Sequence, residues 1–185
     1  PGHEVEEEDS GEEIVVAKPV LLESIMAFQA TIVQVSCGAH HTAALRSNGT
    51  VLTWGSNEYG ELGHRAVGSS SDHVGSSTHQ PAPPALFVKP AVMALGLGHR
   101  ATLVACGDGF TLCLTSRMKL LACGVADVTG GEVEPRRLPT SIPALEDLPL
   151  VSMAAGRRHA VAVTAHGSVY VWGDNTKGQC GREYP

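Results

Sequence analysis

Nine histidines, five cysteines and an adjacent arginine pair, Arg157-Arg158, are the residues of this 185-residue chain best suited to chemistry. Histidine and cysteine could hold a metal or act as base and nucleophile. Either role needs partners at short fixed spacings, such as Cys-x-x-Cys or His-x-x-x-His, so that one turn or one helix face presents them together. Neither spacing occurs, and no Gly-x-Ser-x-Gly elbow, Walker loop or reactive-cysteine motif is present. No metal, no cofactor and no covalent catalysis are expected. Asn48-Gly49-Thr50 fits a glycosylation sequon, but the acidic N-terminus lacks the basic start of a signal peptide, and a turn explains Asn-Gly without it.

The chemistry-bearing residues fall at recurring positions. Cys37 to Gly63, CGAHHTAALRSNGTVLTWGSNEYGELG, returns as GRRHAVAVTAHGSVYVWGDNTKGQCG from Gly156 to Gly181. In each copy two short runs of strand-favouring residues, Thr42 to Leu45 and Val51 to Trp54 in the first, flank a turn. Asn-Gly between such runs predicts a type I′ hairpin, in which both residues take positive φ. After each tryptophan come Gly55 or Gly173, then asparagine, then glycines at matched offsets. A degenerate copy, CGDGFTLCLTSRMKLLACG, lies between them: Gly38, Gly107 and Gly156 align, as do Gly55, Gly124 and Gly173, both sets separated by 69 and then 49 residues. Here Phe110 replaces His41 and His159, Met118 the turn glycine, and Cys123 the tryptophan. Its turn is predicted to differ, because glycine supplies positive φ at little cost and methionine does not.

These markers divide the chain into an acidic disordered tail or linker (1–17), repeat 1 (18–64), a flexible Gly/Ser/His loop (65–80), degenerate repeat 2 (81–133) and repeat 3 (134–185). Seven acids crowd residues 4–13, leaving twelve to balance thirteen Lys and Arg, so the net charge of −6 belongs mostly to the tail. Ser10 with Glu13 three residues on fits a capping box or an acid-directed kinase site, with a solvated linker as the default. The repeats are near neutral and carry no dense basic stripe, which argues against nucleic acid as a partner. Apolar residues make up 43% of the chain and aromatics 4%, with 21 glycines and 11 prolines, a composition that favours short strands and turns. No apolar run is long enough to span a bilayer, so the chain is read as intracellular, cytoplasmic or nuclear. An odd number of cysteines suits a reducing compartment; Cys37 and Cys106 are expected to be small buried hydrophobes, and His64, His73 and His79 to be solvated.

A period near fifty residues with about four strands per unit signals a radial or stacked β architecture. The pattern CGxxHTxAL followed by NGxVxxWGxNxxGxLG resembles the repeat of the regulator of chromosome condensation family, from Lys18 to the C-terminus. The resemblance implies an all-β fold, three consecutive four-stranded blades of a seven-bladed β-propeller, as an incomplete ring whose edges would be exposed. It also implies structural roles within the blades for His41 and His159, and Trp54 and Trp172 are read as blade core. Between the glycine and histidine positions each unit carries two variable residues, Ala39-His40, Asp108-Gly109 and Arg157-Arg158. Turns on a rigid scaffold commonly carry binding function. In the family's exchange factors residues at such turns face a small GTPase, so His40, Asp108, Arg157 and Arg158 become the candidate partner contacts. The function implied is a non-catalytic protein-interaction platform within a larger multidomain protein, its partner a small GTPase or a ubiquitin-pathway protein. The alternative is a guanine-nucleotide exchange factor.

Overall fold

Alternating short strands and glycine-punctuated turns give an antiparallel architecture in the computed structural model, which describes residues 16, 18–26, 31–64, 86–129 and 135–183. Residues 1–15 of the expected tail and the expected loop at 65–80 lie outside the described residues. The first sheet has the order β1 (Ile32–Cys37), β2 (His41–Arg46), β3 (Val51–Ser56), β4 (Leu86–Val92). The second runs β5 (Ala101–Cys106), β6 (Phe110–Thr115), β7 (Leu120–Gly124), β8 (Arg136–Ser141). The third contains β9 (Leu150–Ala155), β10 (His159–Thr164) and β11 (Val169–Gly173), so it has three strands among the described residues where four were expected. Among the described residues helices are confined to single turns, α1 (Glu23–Met26), α2 (Ala126–Thr129) and a 3-10 turn at Pro143–Leu145, and none of these is long and apolar enough to cross a membrane.

The sheets do not follow the sequence repeats. β4 and β8, which close the first and second sheets, come from the approach segments assigned to repeats 2 and 3. The first and second sheets thus borrow their outer strands from the next unit, which ties consecutive blades together covalently as well as by packing.

The hairpin turns also depart from expectation. Thr50 carbonyl accepts from Arg46 N–H at 2.9 Å and Arg46 carbonyl accepts from Gly49 N–H at 2.8 Å. Gly49 has φ +82° while Asn48 is not among the positive-φ residues, so this is no type I′ turn. The five-residue connection needs the left-handed region once, at its fourth position. Asn48 instead uses its side chain, Oδ1 accepting from Thr50 N–H at 3.0 Å. The degenerate copy was expected to turn differently, yet it makes the same two bonds, Thr115 N–H to Lys119 carbonyl at 2.9 Å and Met118 N–H to Thr115 carbonyl at 2.8 Å. Met118 is forced to φ +58°. Pairing of β6 with β7 overrides the local preference, since a different turn would slip the register of two fully buried strands. A side chain in this region costs about 1–2 kcal/mol, partly offset in a glycine variant by greater unfolded-chain entropy. Met118→Gly should therefore raise stability by about 1 kcal/mol, roughly 2–4 °C in Tm, measurable by calorimetry.

Two apolar clusters lie between sheets. One joins Ala43, Leu45 and Val51 of the first sheet to Val104, Cys113 and Leu121 of the second. The other joins Phe110, Leu112 and Leu114 of the second sheet to Leu150, Ala160 and Ala162 of the third. Cys106 is buried as expected, but Cys37 is exposed, because its side of β1 faces away from the second sheet. Trp54 and Trp172 are half-buried instead of fully enclosed. Trp172 packs on the second cluster and its Nε1–H donates to Val128 carbonyl of α2 at 2.7 Å, which places it at the joint between blades.

Candidate functional site

The three two-residue turns converge at one end of the sheets. A Cβ on Gly38 would lie 2.4 Å from Gly107 carbonyl oxygen, and one on Gly107 would lie 2.6 Å from that of Gly156, so the turns stack with no room for a side chain between them. Asp108 N–H donates to Arg157 carbonyl at 2.8 Å across the same line. Within each turn the glycine also seats the residue three positions on: the ring of His41, Phe110 or His159 lies where a Cβ of Gly38, Gly107 or Gly156 would have to be.

The second turn residue is held by its backbone. His40 carbonyl accepts from Ser56 N–H at 2.8 Å, Gly109 carbonyl from Val125 N–H at 2.9 Å, and Arg158 carbonyl from Asp174 N–H at 2.8 Å. Gly55, Gly124 and Gly173 stand against those carbonyls at 2.4, 2.1 and 2.5 Å from a notional Cβ. Since the main chain carries the structural bond, the side chains at these positions are free to differ. That is the physical reason the repeats vary here.

Asp108, Arg157 and Arg158 come together around a cleft of about 450 Å³. Arg157 Nε–H donates to Asp108 Oδ2 at 3.0 Å and Arg158 Nη2–H to Asp127 Oδ2 at 2.9 Å. Tyr59, Val125, Ala126 and Pro135 complete the lining. Arg157 is 85% exposed, so these ion pairs hold the guanidinium groups in place and contribute little stability of their own. His40 is exposed and does not line the cleft. Asp127 and Tyr59 were missed by sequence reasoning. Asp127 sits on α2, where the degenerate copy has lost the family pattern after Gly124, and Tyr59 belongs to the glycine-spaced turn that reads as purely structural. The Tyr59 ring lies against Gly109, 2.8 Å from where a Cβ would be, and Glu58 beside it pushes its hydroxyl pKa up.

Beneath the turns, polar groups are buried. Thr111 hydroxyl donates to Glu61 carbonyl at 2.7 Å and has only one proton, so His41 Nε2 must be the donor in its 2.8 Å bond to Thr111 Oγ1. This bond crosses from the first sheet to the second, not within one blade as the resemblance implied. His41 Nδ1 is buried without a partner among the described residues, and burial lowers the imidazole pKa to about 4. Glu61 is buried too; its carboxylate accepts Tyr59 N–H at 2.8 Å and burial raises its pKa. His64, expected to be solvated, is half-buried: Thr53 hydroxyl donates to Leu62 carbonyl, so His64 Nε2–H donates to Thr53 Oγ1 at 2.8 Å, with Phe87 edge-on to the ring. Among the described residues no group of histidine, cysteine and carboxylate side chains is arranged to hold a metal.

Comparison with known proteins gives a consistent result. The family described as "Regulator of chromosome condensation (RCC1) repeat" matches residues 2–45 and 48–114, and a second family of the same description matches 32–61 and 150–179. The human E3 ubiquitin-protein ligase HERC2 is 34% identical over 161 residues, covering 84% of this chain and 3% of HERC2. The guanine nucleotide exchange factor SRM1 of Saccharomyces cerevisiae is 25% identical over 187 residues, covering 91% of this chain and 39% of SRM1. The crystal structure of human WBSCR16 superposes with a TM-score of 0.61 at 28% identity, covering 78% of this chain and 34% of that one. The chain spans well under half of each of these proteins.

Proposed function

Since this chain belongs to the regulator of chromosome condensation repeat family, we propose that it is a non-catalytic β-propeller segment that serves a larger protein as a protein-interaction platform. The observation that carries this reading is the cleft at the converged turns, where Asp108, Arg157 and Arg158 on strand-connecting turns meet Asp127 of α2 and Tyr59 of the turn after β3. Guanidinium groups and an aromatic ring are the side chains most enriched among energetically dominant interface residues. Similarity to a ubiquitin ligase that is far longer than this chain supports a multidomain setting, with a ubiquitin-pathway protein or a small GTPase as partner.

Charge reversal tests it. Arg157→Glu with Arg158→Glu would set like charges against Asp108 and Asp127, yet these positions are exposed, so Tm should fall by no more than a few degrees. Partner capture should drop severalfold in quantitative pull-downs made with the parent protein. Identical protein profiles for variant and wild type would remove this face as the binding surface.

Nucleotide exchange is the second reading, favoured by the similarity to SRM1 across most of the chain. The protein would then bind and stabilise the nucleotide-free state of a small GTPase. Release of a fluorescent guanine nucleotide from candidate GTPases, with and without the parent protein, separates the two. No acceleration for any of them would leave the platform alone.

A further inference from the structure

The blade-to-blade joints inside this chain are of two chemical kinds, and the residues that make them are matched across each joint. At the first joint the bonds are polar. His41 Nε2–H donates to Thr111 Oγ1; Gln34 Nε2–H donates to Val104 carbonyl at 2.9 Å and its Oε1 accepts from Val104 N–H at 3.1 Å; Ser36 Oγ accepts from Cys106 N–H at 3.0 Å. At the second joint the corresponding positions are apolar. Leu103, Ala105 and Phe110 replace Gln34, Ser36 and His41, and all of them belong to the cluster that also holds Ala160, which replaces Thr111. Where the histidine is lost on one blade, the hydroxyl is lost on the next. The logic is one of satisfaction: an imidazole N–H buried against alanine would lack an acceptor, and a threonine hydroxyl buried against phenylalanine would lose a partner, each at a desolvation cost.

We infer that the residue at the His41 position and the residue at the Thr111 position of the following blade form a matched pair that decides which blade can pack on which. The open face of the third sheet therefore accepts a repeat blade that presents threonine or serine against His159. Strand pairing places His159 on the face opposite Ala160 and Trp172, away from the second sheet, together with Val161, Val163, Val169 and Val171. Val169 is 62% exposed and His159 makes no side-chain hydrogen bond among the described residues. This face continues the established joints, with the imidazole seated over Gly156 as His41 is over Gly38. A second copy of this chain is not its occupant. Thr42 of the first sheet occupies the acceptor position, but Ala44 and Leu52 on that same face are already fully buried.

Two substitution cycles in the full chain test the matching. His41→Phe and Thr111→Ala singly should each raise the unfolding equilibrium constant, and in the double variant it should be about tenfold smaller than the two single effects combined would give. Phe110→His with Ala160→Thr should show the same recovery. If Phe110→His fails to fold, rescue of folding by Ala160→Thr is the readout. A third arm addresses His159 directly: the chain extended after Pro185 by its own residues 86–141, an outer strand for the third sheet followed by a complete second sheet. With threonine at the Thr111 position of the added blade, the wild-type His159 chain should melt several degrees above His159→Phe. With alanine there the order should reverse. Additive effects in both cycles, or equal melting of matched and mismatched extensions, would overturn the inference. So would concentration-dependent self-association of the unextended chain that His159→Glu abolishes, since it would assign the face to a second copy.

Discussion

Phe110→Ala is expected to cost about 3–5 kcal/mol, the range for truncating a fully buried aromatic, and to lower Tm by roughly ten degrees or more. Phe110 has no exposed surface. It lies in the cluster shared by the second and third sheets, and its ring rests over Gly107, 2.1 Å from where a Cβ would be. The cavity left by alanine would be walled by Leu112, Ala160 and two backbones at close approach, which cannot collapse into it without breaking the strand pairing of β5, β6 and β9. No hydrogen bond is lost, so the loss is one of packing alone. Chemical denaturation followed by far-ultraviolet circular dichroism would give the value; a cost below about 1 kcal/mol would mean that the joint between the second and third sheets contributes little to folding.

The second large effect depends on pH. His41 titrates near 6.5 when unfolded and near 4 when folded, because burial disfavours the imidazolium. Between those values the unfolded chain binds more protons, so stability rises with pH there. The stabilisation is complete above about pH 6.5 and is lost as pH falls, by about 3 kcal/mol on reaching pH 4. Protonation would also require Nδ1–H to be buried without an acceptor among the described residues. Glu61 works in the opposite direction: its carboxyl pKa is raised by burial, so its contribution improves as pH falls. Comparison of wild type with the His41→Phe, Thr111→Ala double variant isolates the histidine. Tm measured from pH 7.5 to 4.5 should fall more steeply for wild type, and parallel curves would show that His41 remains neutral in the unfolded chain or charged in the folded one.

Much of this was legible from spacing. The alignment of Gly38 with Gly107 and Gly156, and of Gly55 with Gly124 and Gly173, located every inner hairpin, including that of the degenerate copy. The same alignment pointed to the turns that form the cleft, and three of the four candidate residues line it. The remainder was not legible for specific reasons. Asp127 and Tyr59 join the cleft only because α2 and the turn after Gly55 fold over neighbouring blades. Burial of Glu61 and half-burial of His64 contradict their polarity: His64 Nε2 is satisfied by Thr53 of β3 and the Ala91 carbonyl of β4, and the Glu61 carboxylate by the nearby Tyr59 N–H, while Thr111 of the second sheet bonds the Glu61 main-chain carbonyl.

The sequence by itself determined the repeat, the strands within each hairpin and the positions where side chains are free to vary, because these rest on local periodicity and on glycine. Tertiary structure alone decided three things. It drove Met118 into a glycine conformation, because strand register outweighs a local strain of about 1–2 kcal/mol. It assigned each outer strand to the preceding sheet, because unpaired edge groups are satisfied by whichever strand lies beside them. And it turned the histidine of the repeat from a feature of one blade into a bond between two, because a buried N–H must find its acceptor wherever the packing places one.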